Sequence, residues 1–238
     1  MLEAMAWALL GASSLLIGAL VAFAVPIGAR PLGFIMAFGA GVLISAVAYE
    51  LVEEAVSVAA DPYVVGAGFA VGALVFFLGD VAIDRRLKGR ADRAGGLGIV
   101  LGAVLDGIPE SVVIGASLLT GETASVAVIV AVFLSNIPES ISASSDLVRE
   151  GWARVKVLLL WVVVVVASTL AAGVGYAALE GTSGSWIAAI QAFAAGGILT
   201  MLADEMIPEA FEYTDHNKTV GLALAFGFAL SAALSFSD

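Results

Sequence analysis

The chain has 238 residues, of which 61% are hydrophobic and only 13% charged, and its mean hydropathy is +1.06. That balance excludes a soluble domain, because soluble chains keep roughly a quarter of their residues charged. The lack of cysteine excludes disulfides and thiolate metal ligands, and a net charge of −11 argues against nucleic acid as a partner.

Crossing the hydrocarbon core of a bilayer takes roughly 20 mostly apolar residues in a helix. Eight such segments are predicted, at about 5–27, 33–55, 63–83, 97–118, 124–145, 157–179, 186–209 and 219–236. The alternation of a β-barrel is missing, and VLLLWVVVVVA at 157–167 is apolar on every face. The expected fold class is therefore all-α, a polytopic bundle of eight transmembrane helices forming one domain over 1–238. The opening MLEAMAW has no basic leader, so the first helix is expected to be retained rather than cleaved.

Between these segments the ten basic residues fall in a pattern. Arg30 lies between helices 1 and 2; Arg85, Arg86, Lys88, Arg90 and Arg93 lie between 3 and 4; Arg149, Arg154 and Lys156 lie between 5 and 6; Lys218 lies between 7 and 8. Positive charge stays on the cytoplasmic side of a membrane, so the odd-numbered loops are expected inside and both termini outside. The opposite face would then carry Glu50, Glu53, Glu54, Asp61, Glu122, Glu180 and Asp238. Such a face concentrates cations, although simple solvation explains it equally well. Trp152, Trp161 and Trp186 read as lipid-facing or interfacial anchors.

The segments also repeat. AFGAGVLISAVAYELVEEA (37–55) aligns with AFAAGGILTMLADEMIPEA (192–210) at an offset of 155, with 8 identities in 19 positions, Glu50 on Glu205 and Glu54 on Glu209. LDGIPESVVIGASL in helix 4 and LSNIPESISASSDL in helix 5 share 6 of 14 positions at an offset of 29. The paired helices run in opposite directions, so helices 1–3 against 6–8, and helix 4 against 5, read as inverted repeats. Repeats of this kind recur in secondary transporters, with the site near the midplane on interrupted helices.

The Ile-Pro-Glu-Ser core of both motifs carries the chemistry. Proline lacks an N–H and crowds the carbonyl four residues back, so Pro109 and Pro138 free the carbonyls of Leu105 and Leu134. Residues three or four apart share a helix face, which groups Asp106 with Glu110, and Ser135 and Asn136 with Glu139. An intramembrane acid costs roughly 2.5 to 3.5 kcal/mol unless it meets a partner or water. Neighbouring carboxylates repel unless a proton or cation intervenes, so the cluster suits a divalent ion or a proton. Oxygen-only ligation points to hard or borderline metals such as Mn, Mg or Fe(II), whereas zinc ordinarily takes some imidazole or thiolate. The plainer alternative is a pair of protonated glutamates bonding neighbouring helices, with the prolines as packing kinks.

LDGIPES and LSNIPES resemble the paired metal-site motifs of the ZIP (Zrt/Irt-like protein) family, whose helix 4 reads His-Asn-x-Pro-Glu-Gly. The resemblance implies eight helices and a carrier of divalent transition metals (Zn, Mn, Fe, Cd or Co) across the plasma (cell inner) membrane toward the cytoplasm, often as a homodimer. The metal is then substrate, with no prosthetic group. Carried over by position, Asp106 stands for the motif's histidine, Gly107 for its asparagine and Glu110 for its glutamate, with Ser135, Asn136 and Glu139 as the helix 5 ligands. Helices 2 and 7 are implied to help line the site, with Asp204, Glu205 and Glu209 on the exit route and Glu50 and Glu54 as their outer counterparts. The motif histidine is absent, and the only histidine, His216, falls in the last loop. An enzyme is not expected, since intramembrane metallohydrolases use a water-activating ligand set that normally includes histidine. The alternative is a ZIP-like protein repurposed for proton or monovalent-cation movement, or for metal sensing, without zinc transport.

Overall fold

A computed structural model describes residues 1–87, 95–120 and 126–236. The elements are α1 (Leu2–Ala24), α2 (Ala29–Val58), α3 (Pro62–Leu87), α4 (Gly95–Thr120), α5 (Val126–Arg149), α6 (Arg154–Leu179), α7 (Gly184–Tyr213) and α8 (Val220–Ser235). No strand occurs among the described residues, so the all-helical reading holds. Counting described residues only, six helices (α1, α2, α3, α5, α6 and α7) are long and apolar enough to cross a membrane. The 16-residue α8 is as apolar but shorter. Several helices outrun their predicted ends: α5 continues to Arg149 and α6 begins at Arg154. Hydropathy marks the apolar middle of a helix, whereas backbone hydrogen bonding continues into its polar ends.

The helices fall into two groups. In one, α1 packs against α5 and α6, and α4 packs against α6; in the other, α2 packs against α8, and α3 against α7. Contacts of α2 with α5, and of α4 with α7, join them. Lipid tails are as apolar as leucine, so helices in a bilayer associate mainly by close packing of small residues. Here Gly41 of α2 faces the backbone carbonyl of Leu224 in α8, and Gly227 of α8 faces that of Phe38. Gly72 of α3 faces the carbonyl of Phe193 in α7, and Gly196 of α7 faces that of Phe69. A Cβ at any of the four would overlap that oxygen. Each member of the first set lies 155 residues from one of the second: 41 and 196, 72 and 227, 38 and 193, 69 and 224.

The same spacing appears in the backbone. α2 widens into a π-helical turn at Val47–Val52, and α7 does so at Leu202–Met206, starting 155 residues later. Such turns carry an extra residue within a helix and recur at functional sites. Both hold acids: Glu50 in the first, Asp204 and Glu205 in the second.

One expectation is corrected. Trp161 is fully buried rather than lipid-facing, because its indole N–H donates to Ser144 Oγ of α5 at 2.8 Å within the α1–α5–α6 core. Trp186 is 65% exposed.

Candidate functional site

Helix α5 runs unbroken through Pro138, so the motif neither ends nor breaks it. The serine that closes each motif bonds backward. Ser111 Oγ donates to the Gly107 carbonyl at 2.6 Å in α4, and Ser140 Oγ donates to the Asn136 carbonyl at 2.7 Å in α5. Gly107 and Asn136 are matched at the motif offset of 29, as are Ser111 and Ser140. In both helices a buried hydroxyl is thus satisfied one turn back.

Glu110 and Glu139 open on one narrow cavity between α1, α4, α5 and α6, which has room for about one water-sized occupant. Its polar wall comprises Glu110, Ser111, Asn136, Glu139 and Ser168, and Gly107 supplies a gap in that wall. Its apolar wall includes Ala8, Ala12 and Leu15 of α1, small enough to let that helix close over the acids. Glu110 is 3% exposed and Asn136 5%, whereas Glu139 is partly buried. Glu110 lies within Coulombic reach of Glu139.

The predicted residues divide accordingly. Glu110, Asn136 and Glu139 share the cavity. Ser135 is buried outside its described lining, with its hydroxyl donating to the Val132 carbonyl at 3.0 Å. The side chains of Asp106 and Pro109 lie outside the described residues. Helices α2 and α7 contribute none of the described lining residues, so the implied role for them there is not met at the cavity itself. Helix α7 approaches Glu139 instead, which lies within Coulombic reach of its Glu205 and Glu209. Glu209 accepts a hydrogen bond from Ser142 Oγ at 2.8 Å, and that hydroxyl also meets the Tyr213 hydroxyl. Asp204 is exposed. At the other end of α2, Glu54 accepts a hydrogen bond from Gln191 Nε2 at 3.0 Å. Glu50 lies in the preceding π-turn.

Sequence reasoning missed Ser111 and Ser168 in the cavity wall and the closure by α1. The signal for Ser111 was its repetition as Ser140; Ser168 and the α1 alanines carry no local mark.

Two carboxylates and an amide offer only oxygen donors, which suit hard and borderline cations. A divalent ion would neutralise both charges and relieve the cost of holding two acids together away from bulk water. No group of three or more histidine, aspartate or glutamate side chains is arranged around one metal position among the described residues.

A family model described as ZIP zinc transporter matches residues 83–235. The matched stretch holds both Ile-Pro-Glu-Ser motifs, the α4, α5 and α6 walls of the cavity, and Glu205 and Glu209. No curated protein matches the chain. With well over half its length matched and long apolar helices throughout, the chain belongs to the ZIP zinc transporter family, multi-pass membrane proteins that transport metal ions and are not enzymes.

Proposed function

We infer that this chain carries divalent transition-metal cations across the plasma membrane toward the cytoplasm, through a site formed by Asp106, Glu110, Ser135, Asn136 and Glu139. The observation that carries the reading is the convergence of Glu110 and Glu139, from two copies of one motif, on a single cavity walled by four helices. Asp204, Glu205 and Glu209 line the exit route, and Glu50 and Glu54 lie on the outer side. The cargo is Zn, Mn, Fe, Cd or Co, and without a site histidine the oxygen-preferring metals among them are favoured. The carrier works as a homodimer.

The eight helices all span, both termini face outside, and the chain is built of inverted repeats. Support for the repeats comes from the π-turns at Val47–Val52 and Leu202–Met206 and from the four glycine–carbonyl contacts, all on one spacing of 155. Repeats of this kind put a transporter's site where the halves meet.

The test is uptake into proteoliposomes of purified protein across Zn, Cd, Mn, Fe(II) and Co. Glu110→Gln and Glu139→Gln are expected to abolish uptake while the protein stays folded, and unchanged uptake in both removes the site. A second reading is proton or monovalent-cation movement, which two carboxylates facing one cavity can also serve. It takes over if no divalent ion moves yet Glu110-dependent proton flux appears.

A further inference from the structure

A row of polar side chains leads from the cavity toward the C-terminal ends of α5 and α7. Glu139, Ser142 and Asp146 follow one another at three and four residues on one face of α5, and Glu205, Glu209 and Tyr213 recur every fourth residue along α7. The two rows meet. Glu139 lies within Coulombic reach of Glu205 and Glu209, Ser142 Oγ bonds both Glu209 and the Tyr213 hydroxyl, and Tyr213 lies within Coulombic reach of Asp146. Yet α5 and α7 make little direct backbone contact among the described residues, and both rest on α2 instead. Gly39 of α2 faces the Leu134–Ser135 backbone of α5 and also the Met206 methyl group of α7. The seam between α5 and α7 is therefore bridged by side chains, which can change rotamer, rather than closed by packed backbone.

A serine hydroxyl carries one proton. Ser142 is buried and donates that proton to Glu209 Oε1 at 2.8 Å, so its contact with Tyr213 is made by the phenol's proton. The chain runs from the Tyr213 O–H to the Ser142 O–H to the Glu209 carboxylate, and a donor polarised by a second donor bonds a charge more strongly. Each such bond takes up a lone-pair direction and part of the field that Glu209 would otherwise turn on a cation. A path for ions needs carboxylates that attract the ion but let it leave. We propose that Ser142 and Tyr213 are positioning residues for release: by bonding Glu209 across the seam, they keep it from holding the departing ion tightly. The proposal rests on the placing of Glu209 on the exit route.

The test measures kcat and KM separately for uptake of Zn²⁺, Mn²⁺ and Co²⁺ into proteoliposomes of the full-length chain, with a melting curve for each variant. Slowed release lowers kcat and KM together and leaves kcat/KM unchanged, whereas a loss of folded protein lowers the apparent kcat alone. Ser142→Ala is expected to lower both at least fivefold, and Tyr213→Phe to lower both by less, because Ser142 still donates. Ser142→Thr keeps the hydroxyl and should restore both values. Glu209→Gln should slow uptake without lowering KM. If Glu209→Gln slows uptake while Ser142→Ala keeps the wild-type KM, the exit route stands and the proposal is overturned. Wild-type uptake by Glu209→Gln, or a wild type that moves none of the three metals, sinks the exit route and the proposal with it. If Ser142→Ala does not fold, Tyr213→Phe carries the test, and an unchanged KM there overturns the proposal.

Discussion

Two glycines of α4 face α6, and one added methyl group at each is expected to act in opposite ways. At Gly107 a Cβ would stand 2.9 Å from Ser168 Oγ. That atom ends a short, rotatable side chain, so it yields for about 0.5–1.5 kcal/mol even if it leaves its preferred rotamer. The new methyl group, however, enters a cavity with room for about one water-sized occupant. At Gly115 a Cβ would stand 2.6 Å from the Ala172 carbonyl oxygen, which is backbone. A carbon and a carbonyl oxygen rest at about 3.3 Å or more, so the two helices must part by about 0.7 Å. Overpacking of that kind costs about 1–3 kcal/mol, which at roughly 2–4 °C per kcal/mol lowers the melting temperature by about 2–12 °C. Gly107→Ala should therefore melt near wild type yet lose at least tenfold in metal uptake, a rise of about 1.4 kcal/mol in the barrier. Gly115→Ala should melt early. Uptake into proteoliposomes and melting in the same detergent give both readings, and adding Ser168→Ala to Gly107→Ala, which removes the 2.9 Å contact, should leave melting near wild type without restoring uptake. Wild-type uptake by a well-folded Gly107→Ala protein would refute the reasoning, because the cavity would then not be on the ion's path.

Removing the acceptor of the buried indole by Ser144→Ala should cost about 1–3 kcal/mol, because Trp161 Nε1 is left without a partner; an unchanged melting curve would mean that the 2.8 Å bond contributes nothing. Neutralising Glu205 and Glu209 together should slow uptake while leaving metal binding at the cavity intact, and loss of binding in a titration would make them ligands. Gly41→Ala and Gly196→Ala should lower the melting temperature by similar amounts, since each new Cβ meets a carbonyl oxygen of the paired helix. A large loss in only one would count against the inverted repeat.

The helices were legible because apolar length is a strong signal, and the acids of α4 and α5 were legible because their motif occurs twice. What surrounds them was not. Ala8 and Ala12 look like any small residues in an apolar helix, yet they bring α1 over Glu110. Trp161 follows the usual aromatic preference for an interface until its partner is known, and that partner lies on another helix. Ser135 sits one residue from Asn136, but its hydroxyl donates to the Val132 carbonyl and it lies outside the described lining. Gln191 drew no reading from the sequence, because only the fold brings it to Glu54.

The crossed pairing of α2 with α8 and of α3 with α7 also fixes when the protein can be finished. Gly41 and its partner helix are separated by most of the chain, since Gly227 lies 186 residues further on. At ribosomal rates of about 5–20 residues per second, α2 waits roughly 10 to 40 s in the bilayer before α8 is made. Its small-residue stripe stays against lipid throughout that interval, and α3 waits in the same way for α7. The first half of the molecule is thus inserted long before it is assembled, and chaperones and proteases of the membrane meet it first as loose helices.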